Sequence, residues 1–260
     1  MLLISSSSPK FPGFRAGWLF SLVLLSTALS AQQTIPKGII LPVRLNSTLD
    51  SRNRSGRVFS ARVMQDVPGT SIRAGSKALG EIVSAKPAKA GSNGQLTLRF
   101  TAVEISNGRT PISVDLRALA SKMEVADAQS PVSGPDRGTS PASWTTHQIG
   151  DEVVYRGGGP VAKGVRPVGI PAPNGVLVRA SSAPGSPCRG EIGGKDRLEA
   201  FWVFSSDACG VYGFSDLEIT HAGRNHPAGE IVLTSRKGNV RLRGGSGMLL
   251  RVNAWQPPED

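Results

Sequence analysis

The chain has 260 residues, a formal net charge of +11 from 30 Lys+Arg against 19 Asp+Glu, and 39% hydrophobic but only 5% aromatic residues. Glycine (31) and proline (19) together make 50 residues, about a fifth of the chain, which is below the range of wholly disordered sequences. Collagen, a coiled coil and a polytopic membrane protein are excluded, and a turn-rich β protein is left.

Residues 1–30 read as a secretory signal. Lys10 and Arg15 precede an apolar run from Trp18 to Leu29, no acidic residue occurs before Asp50, and Ala28 and Ser30 supply the small residues of a cleavage site before Ala31. The run is shorter than the ~20 apolar residues of a spanning helix. No cysteine stands near the cut to carry a lipid. The expectation is an exported protein, periplasmic, associated with the outer membrane or secreted. Loss of Lys10 and Arg15 lowers its charge from +11 to +9.

Residues 31–120 read as the first β domain. Val58, Ser60, Arg62 and Met64 alternate with Phe59, Ala61 and Val63, the period of a strand. Leu96, Leu98 and Phe100 alternate with Thr97, Arg99 and Thr101. Ser106-Asn107-Gly108-Arg109 then reads as a hairpin turn, because Asn-Gly tolerates the positive φ of type I′. Ile112, Val114 and Leu116 resume the alternation. Five or six antiparallel strands, arranged as a barrel or sandwich, are predicted between Ile39 and Leu119.

The pattern dissolves after Ser121, and residues 121–150 read as a linker or long loop around Ser130–Pro135. Gly157-Gly158-Gly159 is not followed by the Lys-Ser/Thr of a phosphate loop. Residues 151–256 form a second β-rich region. Its strands are predicted over Leu198–Phe204, Val211–Ile219, Glu230–Thr234, Asn239–Arg243 and Met248–Val252. The last of these either completes the first domain, making 121–215 an insertion, or belongs to a second lobe. No long amphipathic helix is predicted. Cys188 and Cys209, separated by 20 residues in an exported chain, are expected to form a disulfide.

Several motifs of the first domain resemble the C-terminal β-barrel domain of the TrbI/VirB10 family, scaffold proteins of conjugation and type IV secretion. They are Ile35-Pro36-Lys37-Gly38 with Leu41-Pro42-Val43-Arg44-Leu45 and Ser47-Thr48-Leu49, Gly56-Arg57-Val58 through Ala61-Arg62-Val63 to Asp66-Val67, Ile72-Arg73-Ala74-Gly75-Ser76-Lys77 with Gly80, and Leu96–Phe100 followed by Asn107-Gly108-Arg109. Arg73 stands where the family's I-P-x-G-S signature has proline. The resemblance spans about 35–118 and implies a β-barrel-like envelope domain that oligomerises or binds envelope proteins. The family's Pro-rich spacer is absent, and 120–220 departs from its pattern.

The basic residues fall in two stretches. Arg52, Arg54, Arg57 and Arg62 lie in one, and Arg236, Lys237, Arg241, Arg243 and Arg251 in the other. Arg52, Arg54, Arg57, Arg62, Arg241 and Arg243 are the candidate basic binding surface, attractive to anionic envelope polymers, with a plain solvated surface as the simpler reading. The stacking aromatics of a nucleic-acid reader are missing.

Catalytic constellations are weak. His221 and His226, with Asp207 or Asp216, are the candidate metal ligands, but two surface-loop histidines explain the pattern as well. Ser205, Ser206, Asp207 and His221 include the residue types of a hydrolase, without a G-x-S-x-G elbow. Nothing selects Asp151, Glu152 or Glu191 as a carboxylate pair, and His147 stands alone. The sequence therefore predicts a non-catalytic envelope protein without cofactor or metal, acting by binding or assembly. The competing expectations are a secreted hydrolase or metal-binding enzyme centred on 198–226, or a binder of anionic cell-wall polymer.

Overall fold

Period-two alternation in the first block produces strands with one buried and one open face. The computed structural model describes residues 35–105, 108–130, 144–150, 152–156, 162–163, 166–167, 170–172, 175–179, 201–205 and 208–253, with backbone alone for 144–147 and for the strands between 152 and 179. The first block contains β1 (Ile40–Leu45), β2 (Leu49–Asp50), β3 (Val58–Val63), β4 (Lys77–Lys86), β5 (Gln95–Ile105), β6 (Gly108–Pro111) and β7 (Val114–Ala120). Leu41, Val43 and Leu45 of β1, Phe59, Ala61 and Val63 of β3, and Leu96, Leu98 and Phe100 of β5 join one core. Each such Val, Leu or Phe side chain contributes about 1.5–3 kcal/mol by leaving water. Arg44, Arg62 and Arg99, at alternate positions, are exposed. Ser106 and Asn107, where the type I′ turn is predicted, lie outside the described residues; Ile105 stands opposite Gly108 at the end of the β5–β6 ladder.

After β7 come α1 (Lys122–Gln129), β8 (Trp144–Gln148), β9 (Glu152–Arg156), β10 (Ala162–Lys163), β11 (Arg166–Pro167), β12 (Ile170–Ala172), β13 (Gly175–Arg179), β14 (Gly210–Tyr212), β15 (Leu217–Ile219), β16 (Ile231–Ser235), β17 (Arg241–Leu242) and β18 (Gly247–Val252). The large sheet runs β14-β7-β18-β1-β3-β4-β5-β16-β15, with β6 on β5, while β12-β13-β9-β8, β10-β11 and β17-β2 pair separately. β18 lies between β1 and β7, with Met248 opposite both Val43 and Leu119. The end of the chain thus completes the sheet that its beginning opens.

The protein is mostly β, as the alternation implies, and of the expected barrel or sandwich it is the closed barrel that is not formed among the described residues; one detail, the purely antiparallel pairing, is corrected. The sheet is mixed, because β14 runs parallel to β7, with Gly210 opposite Ala118. A parallel neighbour needs a long crossover, and residues 121–209 supply one. The sheet is also no closed barrel among the described residues. Its end strands β14 and β15 are three residues each and approach one another across Gly213–Asp216 without forming a ladder.

β7 departs most from simple alternation, since all seven of its residues are buried. Its register against β18 shifts between Leu249 and Leu250, which oppose Ala118 and Leu116, so Arg117 is an extra residue in β7. Such a bulge re-aims the side chains that follow it. Val114, Leu116 and Leu119 enter the main core, and Ala118 and Ala120 enter a second one on the opposite face.

That second core corrects two further expectations. Ser121, the start of the predicted linker, is instead the N-cap of α1, its Oγ accepting a hydrogen bond from the Glu124 amide. Phe201–Phe204, predicted as a strand, is a tight turn: the amides of Phe201 and Phe204 each donate to the other's carbonyl at 2.9 Å. Trp202 sits there at φ 58°, its amide donating to Gln65 Oε1. Val125 and Ala128 of α1 pack with Phe201, Val203 and Phe204 over Ile40 and Leu249. Gly247 permits the approach, because a Cβ there would lie 2.9 Å from Val125 Cγ2 and 3.2 Å from Phe204 Cζ. The helix and the aromatic turn therefore cover part of the outer face of β1 and β18.

Candidate functional site

The basic residues singled out in the sequence separate into groups. β17 pairs with β2, and Arg241 stands opposite Asp50. Asp50 also accepts from Arg52 Nε at 2.9 Å and Nη2 at 2.7 Å, a two-pronged pair. The Arg52 guanidinium, and more weakly the positive charge of Arg241, hold the Asp50 carboxyl below its usual range, against the upward push of partial burial. Arg52 is held correspondingly above its usual value by the same bonds. The two basic stretches thus meet at an acid that compensates them. Arg54 and Arg57 are exposed in the β2–β3 connection.

Arg62 lies in a different setting. In register, Arg44 of β1 is directly opposite Arg62 of β3, and both project from the outer face because Val43, Leu45, Ala61 and Val63 take the inner one. Like charges opposite one another on a sheet repel. The cover made by α1 ends here, and Lys122, its first residue, reaches the same spot: a Cβ built on Gly245 would meet Lys122 Cγ at 3.2 Å and Arg44 Nη2 at 3.5 Å. Arg44, Leu45, Asn46, Arg62, Met64, Lys122, Gly244 and Gly245 line a cavity of about 340 Å³.

The loop wall of this cavity is rigidly held. Gly245, at φ +95°, donates its amide to Leu45 O at 2.8 Å, and Leu45 donates to Ser246 O at 2.9 Å. Asn46 donates Nδ2 to Ser60 Oγ at 2.9 Å. Arg243 precedes the loop, and its carbonyl accepts from Ser246 N at 3.0 Å. Among the described residues, no acid lines the cavity, and Arg44, Arg62 and Lys122 make no ion pair or side-chain hydrogen bond. The contrast with Arg52, Arg99, Arg109 and Arg236, each within 3.5 Å of a carboxylate, is clear. Of the predicted basic set, Arg62 lines the cavity and Arg243 flanks it. Arg44 and Lys122 were not in that set.

The catalytic candidates are distributed differently. His221 is half-buried at φ 57° and His226 is exposed, at the two ends of a loop fastened to β7. Gly223 N donates to Leu116 O at 2.8 Å, and Asn225 Oδ1 accepts from Leu116 N at 2.6 Å. Asp216 accepts from Ser235 Oγ at 2.8 Å and its carbonyl from Arg236 N, so it stabilises the β15–β16 hairpin. Among the described residues, no group of three His, Cys, Asp or Glu side chains is placed to hold a metal. Ser205 is fully buried. Ser206, Asp207, Asp151, Glu191 and the side chains of His147 and Glu152 lie outside the described residues. Cys209 is 2% exposed and no free thiol, while Cys188 lies outside the described residues.

Among the described residues, no helix is long and apolar enough to cross a membrane. Comparison with known proteins finds no matching family model, no matching curated protein and no matching solved structure.

Proposed function

We propose that this chain is an exported cell-envelope protein that acts by binding, without catalysis or cofactor, and that the outer face of β1 and β3 is its binding face. The observation that carries this reading is the cavity lined by Arg44, Arg62 and Lys122, with no carboxylate among the described residues that line it. Uncompensated positive charge attracts polyanions over a distance of about a Debye length. The signal-like residues 1–30 support export. A Cys188–Cys209 disulfide belongs to the same reading, since Cys209 is buried and no described cysteine is free.

The test is sedimentation of the purified chain with isolated envelopes at increasing sodium chloride. Retention at low salt that falls steeply as salt rises supports the reading. A chain that stays in the supernatant at low salt overturns it.

A second reading, an assembly scaffold of the TrbI/VirB10 kind, is favoured by one specific placement. The motifs that carry the resemblance fall on β1, β3, β4 and β5, four adjacent strands of one sheet. In-cell cross-linking followed by mass spectrometry separates the two readings: self-links within 35–118 or links to outer-membrane proteins favour the scaffold.

A further inference from the structure

The geometry points to a phosphate ester, specifically a phosphomonoester group, as the ligand of the Arg44–Arg62–Lys122 cavity. This rests on the binding reading above and names the chemistry that the site recognises. A carboxylate presents two oxygens in one plane, a geometry that a single guanidinium fork matches. The cavity instead has two guanidinium groups facing one another across adjacent strands and an ammonium from a third element, the first turn of α1. Cations arriving from three elements match a tetrahedral group with three outward oxygens and a charge near −2, such as a phosphomonoester.

The wall supports the same ligand. Met64, half-buried and on the same face of the sheet as Arg62, gives apolar surface beside the cations, suited to the carbon skeleton that bears the phosphate. A volume of about 340 Å³ lies at the lower end of small-molecule sites, larger than a bare ion needs. Gly245 keeps the loop wall close: its positive φ disfavours other residues, and a side chain there would press on Lys122 and Arg44. The phosphate belongs either to a lipid head group or to a soluble ester, and the chemistry is shared.

Calorimetric titration of the purified full chain with glycerol 3-phosphate tests the proposal, with acetate as the carboxylate comparison. Glycerol 3-phosphate is expected to bind at least about tenfold more tightly than acetate, and Arg44→Gln, Arg62→Gln and Lys122→Gln each to weaken it by about tenfold or more, the value of a charge-assisted contact. Lys89→Gln and Arg224→Gln remove equal charge at exposed positions outside the cavity and are expected to leave it unchanged. Vesicles containing phosphatidic acid separate the sources: recruitment that the three cavity variants lose marks a lipid head group, and binding of the soluble ester alone marks a free one. Both support the shared chemistry.

Absence of ester binding, equal affinity for acetate, or equal weakening by Lys89→Gln and Arg224→Gln overturns the proposal. Salt-sensitive envelope retention that persists in all three cavity variants overturns the pocket while the binding reading stands. Ester binding by a chain that envelopes do not retain overturns the binding reading and leaves the pocket.

Discussion

Replacing Asn225 by alanine tests whether the loop that carries His221 and His226 is a structural clamp. Asn225 is 4% exposed, and its Oδ1 accepts the Leu116 amide at 2.6 Å. Leu116 is fully buried, and β14 reaches β7 only at Ala118–Ala120. The loop therefore stands in for a neighbouring strand, taking the Leu116 carbonyl through Gly223 N as well. Alanine leaves the Leu116 N–H buried without an acceptor, which costs about 1–3 kcal/mol. The second bond of Asn225, from Nδ2 to Thr220 O at 3.3 Å, adds little because Thr220 is exposed and its carbonyl can turn to water. The expected loss is about 1–3 kcal/mol, or roughly 2–12 °C in Tm for a unit of this size. Thermal unfolding followed by circular dichroism reads it, with Arg224→Ala as an exposed control in the same loop, expected within about 0.5 kcal/mol of the parent. An Asn225→Ala protein that melts with the control would refute the clamp.

Gly80→Ala is expected to destabilise by about 1–3 kcal/mol in urea unfolding, because the new Cβ would lie 2.5 Å from Phe59 Cζ and 2.7 Å from the Arg99 carbonyl, which cannot rotate away. Asp50 is held below the usual carboxylate range, so its contribution is fully present above the unfolded value near ~3.9 and is lost as pH falls through the lower folded value. Acid titration of unfolding should accordingly give Asp50→Asn a shallower low-pH limb than the parent. Reduction is expected to lower the stability of the chain by about 3 kcal/mol, and alkylation before reduction to label neither Cys188 nor Cys209; labelling of either without reductant removes the disulfide. Arg62→Gln is expected to raise stability by about 0.2–1 kcal/mol at low salt through relief of the Arg44–Arg62 repulsion, with the gain shrinking at high salt.

How much of this was legible depends on the distance over which each signal acts. The strands β1, β3 and β5 follow from strict alternation, because one buried and one solvated face is a local property of the chain. β7 was legible only in its first half: the bulge at Arg117 exchanges the faces, and both are covered. The cover itself carries a local signal. Ser121-Lys122-Met123-Glu124 is a capping-box pattern, and it begins an eight-residue helix where a linker is expected. Phe201–Phe204 gave the opposite error: an apolar run reads as a strand until Gln65, distant in sequence, is seen to fix Trp202 in a turn.

The site was half legible for the same reason. Arg62 stands out within a basic stretch, but Arg44 and Lys122 are isolated in sequence, and only the register of β1 on β3 and the landing point of α1 unite them. Basic density along the chain selected Arg52 and Arg241 equally well, yet Asp50 engages both. What distinguishes the two places is the position of the acid, a property of the fold rather than of composition.

The cavity also shows how charge, packing and stability are connected in this protein. Arg99 lies between Glu81 and Glu230, and Lys77 and Arg109 share Glu104, so the same sheet places acids beside cations on its exposed strands. At Arg44 and Arg62 it opposes two cations instead, and α1 brings a third. Folding alone does not favour that arrangement, since each like-charge contact works against it. An anion seated among the three side chains converts repulsion into attraction, and any ligand that binds only the folded state raises its stability with the logarithm of its concentration relative to Kd. Glycerol 3-phosphate should therefore raise the Tm of the parent above that of Arg62→Gln, although the variant is the more stable protein without ligand. That reversal of order is the signature that separates a binding site from a merely basic surface, where both proteins would respond to the ester alike.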